Sequence, residues 1–143
     1  MSSRLSGKIV YSDTARYLEL DSPGGIIEPA ILIGNYLREE KISAVVVHKC
    51  ASACALIAFN SHELLTQEQA LFGFHNARSL AKADSERGRF NSELGSEIMF
   101  SKLAQLGIPE RILRKARDTA PNEMHYVSGQ EFVKLGLASQ IPY

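Results

Sequence analysis

The chain has 143 residues and carries 16 Lys and Arg against 16 Asp and Glu, a formal net charge of zero. A length of this order suits one domain that buries roughly 68–70% of the surface its unfolded chain exposes. Hydrophobic residues make up 45% and charged residues 22%; this excludes disorder as the dominant state and, with no basic excess, a dedicated nucleic-acid binder.

In chain order, the opening residues Met1-Ser2-Ser3-Arg4-Leu5-Ser6-Gly7 contain no apolar signal-peptide core. Location is left open, cytoplasmic or, for a trimmed chain, periplasmic. No later apolar run reaches the roughly 20 residues of a membrane span. Residues 8–11 and 17–20 read as short strands. The break Ser22-Pro23-Gly24-Gly25 follows, and residues 26–40 read as a helix with Ile27, Ile31, Gly34 and Leu37 on one face. Pro29 fits because it falls in the first turn. Residues 42–48 are β-branched and almost wholly apolar, which suits a buried parallel strand. Residues 52–59 are Ala-rich and apolar all round, a buried helix.

Strands are expected at residues 63–66 and 71–75, then a polar loop over 76–85. A helix over 85–106 ends at Gly107, and Ile108-Pro109-Glu110 opens another. A strand at 124–127, a helix opened by the Ser128/Glu131 capping box and ending near Gly136, and a last strand within 137–141 complete the pattern. Alternating strands and helices point to an α/β fold with a largely parallel sheet in a single domain, residues 1–143.

Three spots combine a sharp turn with reactive groups. Asp21-Ser22-Pro23-Gly24-Gly25 lies between a strand and a helix, where free backbone N–H groups stabilise a developing anion; a plain turn is the bland alternative. In Cys50-Ala51-Ser52-Ala53-Cys54, small residues surround a serine at a helix start, the placement of a nucleophile or of a simple N-cap. In Phe72-Gly73-Phe74-His75-Asn76, His75 ends a strand at the edge of a polar loop, as a general base or a surface histidine would. His48, His62 and His125 sit in less suitable places. The residues suggest no metal site and no cofactor.

The order Gly-Gly, then Ser52 27 residues after Gly25, then His75 23 residues after Ser52 resembles the Clp/crotonase superfamily, and within it the serine-protease branch. Ser22-Pro23-Gly24-Gly25 is similar to that branch's glycine turn. Cys50-Ala51-Ser52-Ala53-Cys54-Ala55 is similar to its nucleophile segment, most like bacterial Clp-like proteins with Cys-Ala-Ser-Ala-Cys. Gly73-Phe74-His75 resembles its histidine segment, and Tyr126-Val127-Ser128 with Glu131, Gly136 and Leu137 resembles its C-terminal element. The likeness runs from about Lys8 to Ile141.

The resemblance implies a spiral of strand–strand–helix units and hydrolysis of a peptide or protein substrate. Ser52 would be the nucleophile and His75 its base, with the N–H groups of Gly25 and Ala53 as the oxyanion hole. Two departures stand out. Met124 falls where Clp proteases carry the aspartate that orients the histidine, and Asn122, Glu123 and Asp118 are nearby but off register; a non-aspartate orienter is expected, Asn122 or Glu123 first, with a backbone carbonyl or water as the fallback. Between the first strand and Leu20 only about ten residues intervene where the family has a full helix, which points to a sheet edge covered by a second copy in a homo-oligomer. The apolar stripe Ile98, Met99, Leu103 and Leu106 serves either such contacts or the core. A crotonase-like acyl-CoA enzyme and a non-catalytic assembly module are the alternatives.

The two cysteines are too few for a disulfide scaffold or a zinc site. Their spacing allows a bridge, but nothing in the sequence marks an oxidising compartment, so two free buried thiols are expected.

Overall fold

The computed structural model describes residues 6–11, 16–77 and 86–142. Its elements are β1 (Ser6–Tyr11), β2 (Arg16–Ser22), α1 (Ile27–Glu39), β3 (Ile42–Ala51), α2 (Ala53–Asn60), β4 (Leu64–Thr66), β5 (Leu71–Phe74), α3 (Glu86–Gln105), α4 (Glu110–Arg117), β6 (His125–Ser128), α5 (Gly129–Lys134) and β7 (Ser139–Gln140). The connection at residues 12–15 and the expected loop beyond Ala77 lie outside the described residues. The chain is α/β with a mixed, mostly parallel sheet: β1 is antiparallel to β2, whereas β2–β3, β3–β4, β3–β5 and β4–β7 are parallel. The sheet order is β1-β2-β3-β4-β7, with β5 pairing both β3 and β6. No helix among the described residues is long and apolar enough to cross a membrane.

The chain forms two compact units, Met1–Gly73 with Tyr126–Tyr143, and Phe74–His125. In the first, β3 runs three residues past its expected end. Leu20 faces Val46 and Ser22 faces Cys50, so Asp21 of β2 stands opposite residues 47–49 of β3. This bulge leaves His48 and Lys49 exposed in succession and breaks the alternation by which a strand is read from sequence. On its other edge β3 pairs β4 at Ala44 to Val46 and β5 at Lys49 to Ala51.

Seven of the eight residues of α2 are buried, as its unbroken apolar sequence requires. Helix α1 passes it closely: a β-carbon on Gly34 would lie 2.9 Å from the Asn60 Cβ, so only glycine fits there. Beside that crossing Asn60 donates to the Asn35 side chain at 2.7 Å. Phe59, Phe72 and Phe132 close the core, Phe132 meeting both other rings edge-on and Phe59 tilted against Phe72, with ring centroids 4.7–5.3 Å apart.

In the second unit α3 and α4 bury Met99, Phe100, Leu103, Ile112, Leu113 and Ala116. The α3 stripe is therefore core at Met99 and Leu103, while Ile98 keeps 38% exposure. The Ser96 hydroxyl accepts the Ala77 N–H at 2.8 Å, and Arg117 lies 5.4 Å from the Phe100 ring centre while pairing with Glu110.

Burial, and then the Lys115 ammonium, hold His125 below the ordinary imidazole value of 6.5. Below that pH the unfolded chain takes up a proton that the folded chain refuses until lower pH. Stability therefore falls as the pH drops through this window and is untouched above it. Lys115→Met is expected to move the His125 midpoint upward while leaving it below 6.5, read from imidazole proton shifts in an NMR titration. An unchanged midpoint would show that Lys115 does not act on the ring.

Candidate active site

The sequence singles out a serine between a buried strand and a buried helix, and the structure gives that serine an unusual backbone. Ser52 has φ 56° and ψ −117°, the first central position of a type II′ turn, where glycine is the default residue. Among described non-glycine residues only Lys41 also has positive φ. Lys41 is exposed just beyond α1, the ordinary place for a left-handed residue. Ser52 is 7% exposed at the junction of β3 and α2. It occupies the N-cap position of α2, yet its side chain makes no cap hydrogen bond, so capping does not account for a serine here.

Several contacts hold this turn. The Ser52 N–H donates to the Gly73 carbonyl at 2.8 Å, and the Ala55 N–H to the Ser52 carbonyl at 2.9 Å. From the other side comes the glycine turn after β2. The buried Ser22 hydroxyl donates to the Gly24 carbonyl at 2.9 Å and lies 3.1 Å from the Gly24 N–H. Gly24 has φ 140°, and a β-carbon there would lie 3.3 Å from the Ser52 Cβ. At Gly25 a β-carbon would lie 3.8 Å from the Ala53 Cβ. The glycines thus let one backbone lie against the other, and the first unit brings Gly24, Gly25, Ser52 and Ala53 together.

The expectation of two free thiols is overturned. Cys50 and Cys54 form a disulfide with Cα atoms 5.1 Å apart. The end of β3 and the first turn of α2 meet at Ser52, which folds the two cysteines back within bridging range. Both are fully buried.

His75, Asn122 and Glu123 belong to the second unit. His75 is half-buried, directly after β5, and its Nδ1 is a buried atom. Asn122 and Glu123 are exposed on a turn in which the Glu123 N–H donates to the Ala120 carbonyl at 2.9 Å. The tie from the histidine segment to this region runs through Asn76, which sequence reasoning passed over. Its side-chain amide donates to the Arg117 and Thr119 carbonyls at 2.7 and 2.8 Å, and its N–H to Thr119 at 3.0 Å. Asparagine after a strand end is a common turn former, the one signal that could have marked it. Among the described residues no cluster of three His, Cys, Asp or Glu could hold a metal ion. No protein-family model and no curated protein matches the chain.

A non-glycine residue in such a conformation costs on the order of 1–3 kcal/mol, whereas glycine loses about 0.5–1 kcal/mol through unfolded-state freedom. Ser52→Gly is accordingly expected to raise stability by about 1 kcal/mol, or about 2–4 °C in Tm. Ser52→Ala, which keeps the β-carbon, should not. Calorimetry of both variants decides it, and a Ser52→Gly protein melting below wild type would refute the strain.

Proposed function

We infer that the chain is a serine hydrolase of the Clp type, acting as a peptidase, with Ser52 as its nucleophile. One observation carries this reading: Ser52, at φ 56° and ψ −117°, holds a place that favours glycine, at a strand–helix junction, with no capping role. A strained turn of this kind lifts a hydroxyl over a helix start and keeps it reactive. The runs β1-β2-α1 and β4-β5-α3 follow the strand–strand–helix order of a Clp/crotonase-like spiral, which the proposal takes as the fold.

In the proposed reaction Ser52 Oγ attacks the scissile carbonyl carbon while its proton passes to His75. The carbonyl oxygen becomes an oxyanion held by the N–H groups of Gly25 and Ala53, the latter at the positive end of α2. His75 then returns the proton to the leaving amine as the C–N bond breaks. A water molecule, deprotonated by His75, then attacks the acyl carbon, and His75 returns that proton to Ser52 Oγ as the acyl C–O bond breaks. Support for His75 comes from chain order: it lies two residues beyond Gly73, whose carbonyl accepts the Ser52 N–H. Asn122 or Glu123 takes the orienting role, since Met124 stands at the aspartate's place.

Ser52→Ala should lower hydrolysis of an activated peptide ester by about 10⁴-fold or more while the fold persists. A fluorophosphonate should label the wild-type chain at Ser52 alone, more slowly in His75→Ala. Turnover unchanged in Ser52→Ala, or a wild-type protein inert to the probe, overturns the reading.

Assembly into a homo-oligomer goes with this proposal. Leu32 and Tyr36, 69% and 54% exposed one turn apart on α1, are apolar surface that such an assembly would cover. Light scattering should give a mass above the 15.8 kDa of one chain at micromolar concentration; a monomer would refute it.

A further inference from the structure

We propose that the Cys50–Cys54 disulfide is the positioning device of Ser52, so that the oxidation state of this pair sets the reactivity of the hydroxyl. The inference rests on the serine-hydrolase reading and adds a regulation to it. Only Ala51, Ser52 and Ala53 lie within the bridged loop, and Ser52 is its left-handed residue. One end of the bridge is fixed, because Cys50 pairs with Ser22 of β2 and Phe72 of β5. The other end, Cys54, is buried in the first turn of α2. Loops this short restrain the unfolded chain least, so the bridge acts chiefly on the folded turn.

The turn needs such a hold. The β2–β3 ladder is interrupted at residues 47–49 and resumes only at Cys50, so on the β2 edge the single pair Ser22–Cys50 holds the strand end that leads to Ser52. A residue at φ 56° relaxes toward the right-handed or extended region unless its neighbours are fixed. With the bridge open, rotation at Ser52 carries its Oγ and the Ala53 N–H away from the Gly25 turn together. A dithiol opens it: one thiolate attacks one cysteine sulfur, the Cys50–Cys54 bond breaks and the other cysteine leaves as its thiolate; the second sulfur of the dithiol then attacks the first and displaces the bound cysteine. Two electrons pass to the pair, leaving Cys50 and Cys54 as thiols and the dithiol as a cyclic disulfide. Both sulfurs are buried, so reduction waits on local opening of the turn.

The test compares oxidised wild type, wild type reduced by dithiothreitol, and Cys50→Ala/Cys54→Ala. One readout is the rate of fluorophosphonate labelling at Ser52; the other is hydrogen exchange at the Ser52 and Ala55 N–H groups. Without the bridge, labelling should slow about 100-fold, the penalty of a displacement near 1 Å. Both amides should exchange faster, with the Val46 N–H unaffected, and re-oxidation of the wild type should restore both readings. Labelling and exchange unchanged in both bridge-free forms overturn the proposal. A wild type that the probe never labels defeats the hydrolase reading alone, because exchange at Ser52 still reports whether the bridge holds the turn. If circular dichroism shows the double variant unfolded, reduced wild type, which keeps both sulfurs in place, carries the comparison.

Discussion

Strand β3 has β4 as its neighbour through Val46 and β5 from Lys49 onward, both on the edge opposite β2. One strand cannot serve two partners in line without bending, and the bend is the three-for-one mismatch against Asp21. The Val46 carbonyl sits at the last residue before it and accepts both the Gln67 N–H and the Thr66 hydroxyl, at 3.2 and 3.1 Å. Beyond the bend β3 aims its end at the glycine turn after β2, which sets where Ser52 and the start of α2 fall. The site is thus placed by a change of sheet partner more than by any loop.

Magnitudes explain why so strained a serine survives there. The backbone conformation of Ser52 costs on the order of 1–3 kcal/mol. Leu56 and Ile57, both fully buried in α2, each contribute roughly 1.5–3 kcal/mol. Packing of that helix therefore outweighs the strain at its first turn, provided that α2 stays docked. The close crossing of Gly34 and Asn60 keeps it docked, since a larger residue at 34 would force the helices apart.

Much of this was legible in the sequence, because each element carries one clear period. The β-branched run of β3, the all-apolar α2 and the Ser128 cap, which accepts the Glu131 N–H at 3.3 Å, each left a local signature. The glycine turn and Ser52 stand out in the sequence as two separate sharp turns, and the structure brings them side by side. The bulge was hidden, because His48-Lys49 reads as a strand end when alternation is the guide. The cysteine bridge was hidden too. The spacing allows a bridge, but residue types do not show whether the chain meets an oxidising compartment, and that is the ground on which two free thiols are expected. Asn76 escaped notice because its partners are main-chain carbonyls, which leave no trace in residue types.

The aromatic contacts carry a consequence for how the molecule is made. Phe59 and Phe72 wait for Phe132, and β4 waits for β7, whose flanking Ile141 N–H bonds to the Thr66 carbonyl at 3.0 Å. On a ribosome adding about 5–20 residues per second, the middle of the chain emerges several seconds before the segment that covers it. During that interval the sides of Phe59 and Phe72 that meet Phe132, and the edge of β4 that meets β7, have no native cover. The first unit therefore completes its aromatic cluster and its β4 edge only after translation has passed residue 141.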